Sequence, residues 1–185
     1  VASVPVTRLQ ARRPDAVAGI TLRLAEDDPQ SVAIRFFDTN GSDISEDTQR
    51  KIERLFNRED YRRVLPSEIG DIGFPPRALE QYAVALESVV DVEAIGSAGF
   101  KVVVDYSYGS TSFVMANVFS KLGAEVLAVN PYVSTQGVVE FDREAHAAQV
   151  GNLVRASGAN LGAVIDPSGE RLTLIDDRGH VLTTN

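Results

Sequence analysis

The chain has 185 residues, 44% of them hydrophobic and 24% charged, enough for one or two small domains with a real core. A net charge of -8 and a pI near 4.8 speak against a nucleic-acid groove, and no apolar run approaches the roughly eighteen residues of a membrane span. With no cysteine, disulfides and thiolate metal sites are excluded, which fits a reducing compartment and makes the cytoplasm the expected location. The first residue is Val1 rather than Met, and "VASVPVTRLQ" lacks the features of a secretory signal, so the chain reads as an excised segment.

In chain order, "AVAGITLRLAEDDPQSVAIRFFDTNG" predicts two strands, Gly19 to Leu24 and Val32 to Phe37, joined by a polar turn around Asp27, Asp28 and Pro29. Ser45 is placed to cap a helix whose first turn carries Glu46 and Asp47 against the dipole, with Ile52, Leu55 and Phe56 as its buried stripe. The basic residues Arg50, Lys51, Arg54, Arg58, Arg62 and Arg63 are interleaved with Glu53, Glu59 and Asp60, which reads as a solvated, salt-bridged helix face. Pro75 and Pro76 mark the start of a second helix, with Leu79, Tyr82, Ala83, Leu86 and Val89 or Val90 on one face, and also the domain boundary.

From Phe100 the pattern becomes a regular alternation: strand "FKVVVDY", helix "TSFVMANVFSKLG", strand "EVLAVN", helix "REAHAAQVGNLVRASG", strand "NLGAVID", then hairpin strands "RLTLID" and "HVLTT". Gly123 and Gly158 stand where helix C-caps belong. Strands separated by helices of this length predict right-handed crossovers and parallel pairing, closed by a hairpin: an α/β fold, a three-layer mixed sheet with βαβ crossovers. Asp105, Asn130 and Asp166 then fall at the carboxyl ends of successive strands, the edge at which such sheets place ligands. "SYGSTS" has neither the glycine spacing nor the lysine of a phosphate loop and reads as a strand-to-helix turn. His146 and His180 read as surface or half-buried structural histidines, Ser31 as a loop serine without a local base, and Asp166, Ser168 and Glu170 as a solvated turn between strands.

These stretches together resemble the α-D-phosphohexomutases, the phosphomannomutase and phosphoglucomutase family, over essentially the whole chain. "GITLRLAEDDPQSVAIRFFDTNG" resembles the first-domain segment that holds the family's phosphoserine loop. "KVVVDYSYGSTSFVMANVFSKLGAEVLAVN" is similar to the opening of the second domain, and "GANLGAVIDPSGERLTLIDDRGHVL" stands where the family has its Asp-Gly-Asp-Ala-Asp-Arg metal loop. The resemblance implies phosphohexomutase-like domains: the C-terminal part of domain I over 1–73, and domain II, truncated at its C-terminal end, over 74–185. "IERLFNREDYRRVLPSEIGDI" and "FPPRALEQY" look more narrowly like the mutase-like half of bacterial proteins that begin with a sugar nucleotidyltransferase of the mannose-1-phosphate guanylyltransferase type.

In that family a loop serine relays the phosphoryl group, and three loop aspartates hold magnesium against it. Here Ala25 occupies the serine position, followed by Glu26 and Asp27 in place of His and Asn, so the covalent step has no carrier. Asp166 and Arg171 match the metal loop, but Pro167, Ser168 and Gly169 replace Gly, Asp and Ala, and Glu170 replaces the last Asp. Losing one carboxylate and lengthening another disturbs the charge and reach that magnesium needs.

Three readings stand. One is a catalytically degenerate module, structural or regulatory, with no cofactor, in a larger nucleotidyltransferase-containing protein. The second is an active mutase with altered ligands, Asp166 and Glu170 on Mg2+. The third is a fold that binds a sugar phosphate or nucleotide sugar as an effector. The implied partners are the missing phosphohexomutase domains and an upstream nucleotidyltransferase domain, with a sugar phosphate and a second copy of the chain as candidates, and neither nucleic acid nor membrane.

Overall fold

The computed structural model describes residues 2–25, 28 and 30–183. The chain opens with helix α1 (Val4–Ala11), followed by β1 (Gly19–Leu24) and β2 (Val32–Phe37), which pair antiparallel with Thr21 opposite Arg35 and Arg23 opposite Ala33. Helix α2 (Glu46–Asn57) follows, and Ser45 caps it by accepting the Thr48 amide. A single 3₁₀ turn (Pro66–Glu68) interrupts an exposed stretch before α3 (Ala78–Glu87) and α4 (Val92–Ala98). Arg77 takes the left-handed conformation at φ 60°, so α3 begins only at Ala78 rather than at the prolines.

The second half contains β3 (Lys101–Asp105), α5 (Ser112–Lys121), β4 (Glu125–Val129), α6 (Thr135–Val139), α7 (Arg143–Ser157), β5 (Leu161–Ile165) and β6 (Leu172–Ile175). Its sheet has the order β4-β3-β5-β6, with the first two pairings parallel and the last antiparallel. The mixed sheet with helical crossovers is the expected fold class. Of the run "HVLTT", the described residues form a bridge, Val181 to Ile175, and no strand. Gly158 ends α7 in the left-handed conformation, as its position after the apolar stripe predicts.

Alternation along β3 builds the layers. Val103 packs with Val164 and Ile175 against Ala147, Val150 and Val154 of α7. Val102 and Val104 point the other way, with Ile165, toward Met115 and Phe119 of α5. A further layer covers α5, where Val6 of α1 and Ala83 of α3 bury against Val114 and Val118, flanked by Leu79, Tyr82 and Leu86. Val89 and Val90 are exposed, because α3 ends before the face reaches them.

Helix α2 departs from expectation. Its stripe is amphipathic, yet only Ile52 is partly buried, while Leu55 and Phe56 are 49% and 69% exposed, because β2 faces that side only across an open groove. The hairpin β1–β2 shares the condition: Ile20, Leu22 and Ile34 on one face are exposed, whereas Thr21, on the face it shares with Arg23 and Arg35, is buried. The polar face of the hairpin thus turns inward. No described helix is long and apolar enough to cross a membrane.

Candidate functional site: an arginine-lined cleft at the sheet rim

The carboxyl ends of β3, β4 and β5 carry Asp105, Asn130 and Asp166 on one rim, and their side chains face different tasks. Asp105 is fully buried. Its carboxyl accepts the Ser107 amide at 2.8 Å and the Asn130 amide group at 3.1 and 3.2 Å, and pairs with Nδ1 of His146 at 2.8 Å. His146 is thus half-buried and structural, within the expected reading. It ties the first turn of α7 to the end of β3, wedged edge-on against Phe141. The sequence held no local signal for this pair, since 41 positions separate the partners.

Asp166 is 4% exposed, with Ser168 half-buried and Glu170 exposed, so the aspartate itself is withdrawn from solvent while the far end of the loop is not. One carboxyl oxygen accepts the amides of Glu170 at 2.8 Å and Arg171 at 2.7 Å; the other accepts the amide and hydroxyl of Ser168. The backbone closes the loop, with the Asp166 amide donating to the Arg171 carbonyl and Gly169 donating to the Asp166 carbonyl. A side chain on Gly109 would meet the Pro167 carbonyl at 2.8 Å, so the turn after β3 is pressed directly onto this loop.

Glu170 leaves the loop and meets arginines. Its Oε1 accepts from Arg8 of α1 at 3.0 Å, and its Oε2 pairs with Arg35 of β2. Arg23 of β1 donates to the Pro167 carbonyl at 3.2 Å and the Ser168 carbonyl at 3.4 Å. Burial pushes the Arg23 guanidinium below its usual pKa, the nearby Asp166 and Glu170 carboxylates oppose that shift, and Arg35 adds to it.

Between the hairpin and the α6 region lies a cleft of about 610 Å³ whose polar lining includes Arg23, Arg35, Arg143, Ser134, Asp166 and Glu170. Ala25 lines the same cleft, so the expected serine position and the expected metal loop do converge in space. Glu26 and Asp27 lie outside the described residues. The Ala25 amide donates to the Ser31 carbonyl at 2.9 Å, and the Ser31 hydroxyl is held by Asp28.

These donors do not fit a magnesium ion. Both oxygens of Asp166 accept loop hydrogen bonds, and both oxygens of Glu170 are held by guanidinium groups. Among the described residues no three His, Cys, Asp or Glu side chains converge as a metal group. The arginines were missed in the sequence, as was Asp43 after β2, which pairs with Arg8 and Arg35. Only the shared hairpin face of Arg23 and Arg35 hinted at them.

Fold and rim together define an α/β module of two packed parts, with a cleft where the hairpin meets the carboxyl edge of a mixed sheet. The family model described as Phosphoglucomutase/phosphomannomutase, alpha/beta/alpha domain II, matches residues 80–179, and that for alpha/beta/alpha domain I matches residues 1–63. The chain belongs to the phosphoglucomutase/phosphomannomutase family. It is 28% identical over 184 residues to a protein named phosphoglucosamine mutase from Dictyoglomus thermophilum, covering 98% of this chain and 40% of that protein. It is 26% identical, with the same coverage, to one named phosphoglucomutase/phosphomannomutase from Thermococcus kodakarensis. A crystal structure of a family member from Burkholderia thailandensis superposes with a TM-score of 0.80 at 16% identity, over 98% of this chain and 40% of that one. The chain thus spans about two fifths of the length of the curated relatives it matches.

Proposed function

We propose that this chain is a catalytically silent phosphohexomutase-type module of a larger protein, kept for a structural or regulatory role rather than for phosphoryl transfer. The observation that carries the reading is chemical. In the one cleft where a phosphoryl carrier and a metal loop would meet, the carrier position is Ala25 and the Asp166 and Glu170 oxygens are already committed to amides and arginines. An alanine offers no nucleophile, and a carboxylate whose lone pairs accept N–H bonds is a poor magnesium ligand.

The narrower resemblance of "IERLFNREDYRRVLPSEIGDI" and "FPPRALEQY" extends this proposal to a parent whose catalytic part is a sugar-1-phosphate nucleotidyltransferase. The module would then act on that activity through contact rather than chemistry.

One experiment addresses both statements: the whole protein and a version lacking residues 1–185 are assayed with hexose and hexosamine 1-phosphates in the presence of magnesium. The expected result is no 6-phosphate from either, with nucleotidyl transfer present and altered in kcat, KM or oligomeric state by the deletion. Formation of a 6-phosphate that depends on residues 1–185 would instead establish an active mutase with altered ligands, the reading that the names of the relatives favour.

A further inference from the structure

We propose that a ring of two arginines and two carboxylates takes the place of a divalent ion as the tie between the β1–β2 hairpin and the sheet rim. The hairpin and the rim would then stay joined without metal. The inference concerns how the two parts are held together and goes beyond the proposed lack of turnover.

The ring is closed and alternating. Arg8 reaches Asp43 at 2.7 Å and Glu170 at 3.0 Å, while Arg35 reaches Asp43 at 2.9 Å and the other oxygen of Glu170. Each carboxylate is therefore spanned by two guanidiniums, and each guanidinium by two carboxylates. Planar guanidinium forks suit this role, because a single ammonium cannot present separated donors in fixed directions. The buried ring of Phe37 lies under both cations, 4.3 Å from the Arg8 guanidinium carbon and 5.5 Å from that of Arg35. Arg8 is anchored further by the Gly41 carbonyl at 2.9 Å.

The members come from distant parts of the chain: Arg8 from α1, Arg35 from β2, Asp43 from the turn after β2, and Glu170 from the rim loop, 162 positions from Arg8 and 135 from Arg35. The network thus joins the same two parts that a metal held between a hairpin loop and the rim loop would join. Its charge explains why no ion is needed. Two positive and two negative groups cancel, so the ring offers no surplus negative charge to a cation, and each of its carboxylate oxygens already accepts from a guanidinium. Arg23, donating to the Pro167 and Ser168 carbonyls, adds a second tie from the same strand face.

The test is hydrogen–deuterium exchange by mass spectrometry on the whole protein, following peptides that cover 21–35 and 165–171, in chelator and in millimolar magnesium. For the wild type the two conditions should give the same exchange in both peptides. Arg35→Met and Glu170→Gln should each speed exchange of both peptides by about tenfold or more, as expected for losing charge-assisted bonds. The double variant should be scarcely faster than the faster single, because the two residues act as one unit. Arg35→Lys, which keeps the charge and the packing volume, should fall between wild type and Arg35→Met. The proposal is overturned if magnesium slows exchange of the wild type saturably, if the two substitutions add independently, or if Arg35→Lys exchanges as slowly as the wild type.

Discussion

Asp43 illustrates how one side chain can link pH to the joining of hairpin and rim. Its carboxyl is held below the usual value of 3.8, first by the bond from Arg8, against the opposing effect of burial, and then by Arg35. A depressed carboxylate contributes stability in full above its unfolded value and loses it as pH falls through its lowered folded value. Because the side chain is 54% exposed, solvent screening limits the effect, and Asp43→Asn should cost no more than about 1 kcal/mol at neutral pH. The expected outcome is a Tm difference between wild type and Asp43→Asn that is steady above about pH 5 and closes in stronger acid. A difference that grows on acidification would contradict the assignment. Tyr106 marks the alkaline side: burial pushes its phenol up to about 12, so its neutral form is favoured in the folded core.

At the scale of elements, the contact between α7 and the sheet runs through a position with no side chain. A methyl group on Gly162 of β5 would approach Val150 at 2.7 Å, Val154 at 2.8 Å and Ile175 at 3.1 Å, all fully buried. None of these neighbours is a flexible surface chain that can swing aside, so the helix and sheet must separate. Gly162→Ala should therefore lower stability by about 1–3 kcal/mol in urea unfolding, the usual cost of overpacking. Gly162 lies four residues before Asp166, in the strand that leads into it, so exchange in the rim loop should rise with the strain. The same layer is set by the period of β3, in which Val103 faces α7 while Val102 and Val104 face α5.

For the molecule as a whole, the unpaired feature is an apolar surface on the hairpin and α2. Ile34, Phe36, Ile44, Ile52 and Phe56 line a groove of about 490 Å³, and Ile72 and Phe74 in the stretch before α3 are 86% and 88% exposed. Surfaces of this kind drive association, and the net charge of -8 opposes it by repulsion. Salt screens the repulsion and leaves the apolar attraction. The isolated 185-residue chain should accordingly be largely monomeric at low ionic strength and show weak, concentration-dependent association as salt is raised, followed by sedimentation velocity. Phe56→Ser with Leu55→Ser should reduce that association. Association unchanged by salt or by these substitutions would place the contact elsewhere.

Local chemistry was legible in the sequence wherever the deciding forces act over a few residues. Ser45 as a cap, Gly158 as a helix terminator, the β1 and β2 runs and the alternation of β3 with its crossover helices all stand where their patterns placed them. The loop after β5 stands at the carboxyl end of its strand, as the strand order predicted, whereas its meeting with Ala25 was implied only by the family resemblance. Short helices such as α1, α4 and α6 were not read, since segments of five to eight residues carry too little periodicity and form through packing. What only the tertiary structure decided was the partner of each side chain across the fold. His146 finds Asp105, and Glu170 finds Arg8 and Arg35, because topology brings α7, α1 and β2 to one rim. Likewise, the amphipathic pattern showed that Leu55 and Phe56 share an apolar face but not whether anything covers it. Periodicity determines which face of an element is apolar or charged; long-range chain reversal determines what that face meets.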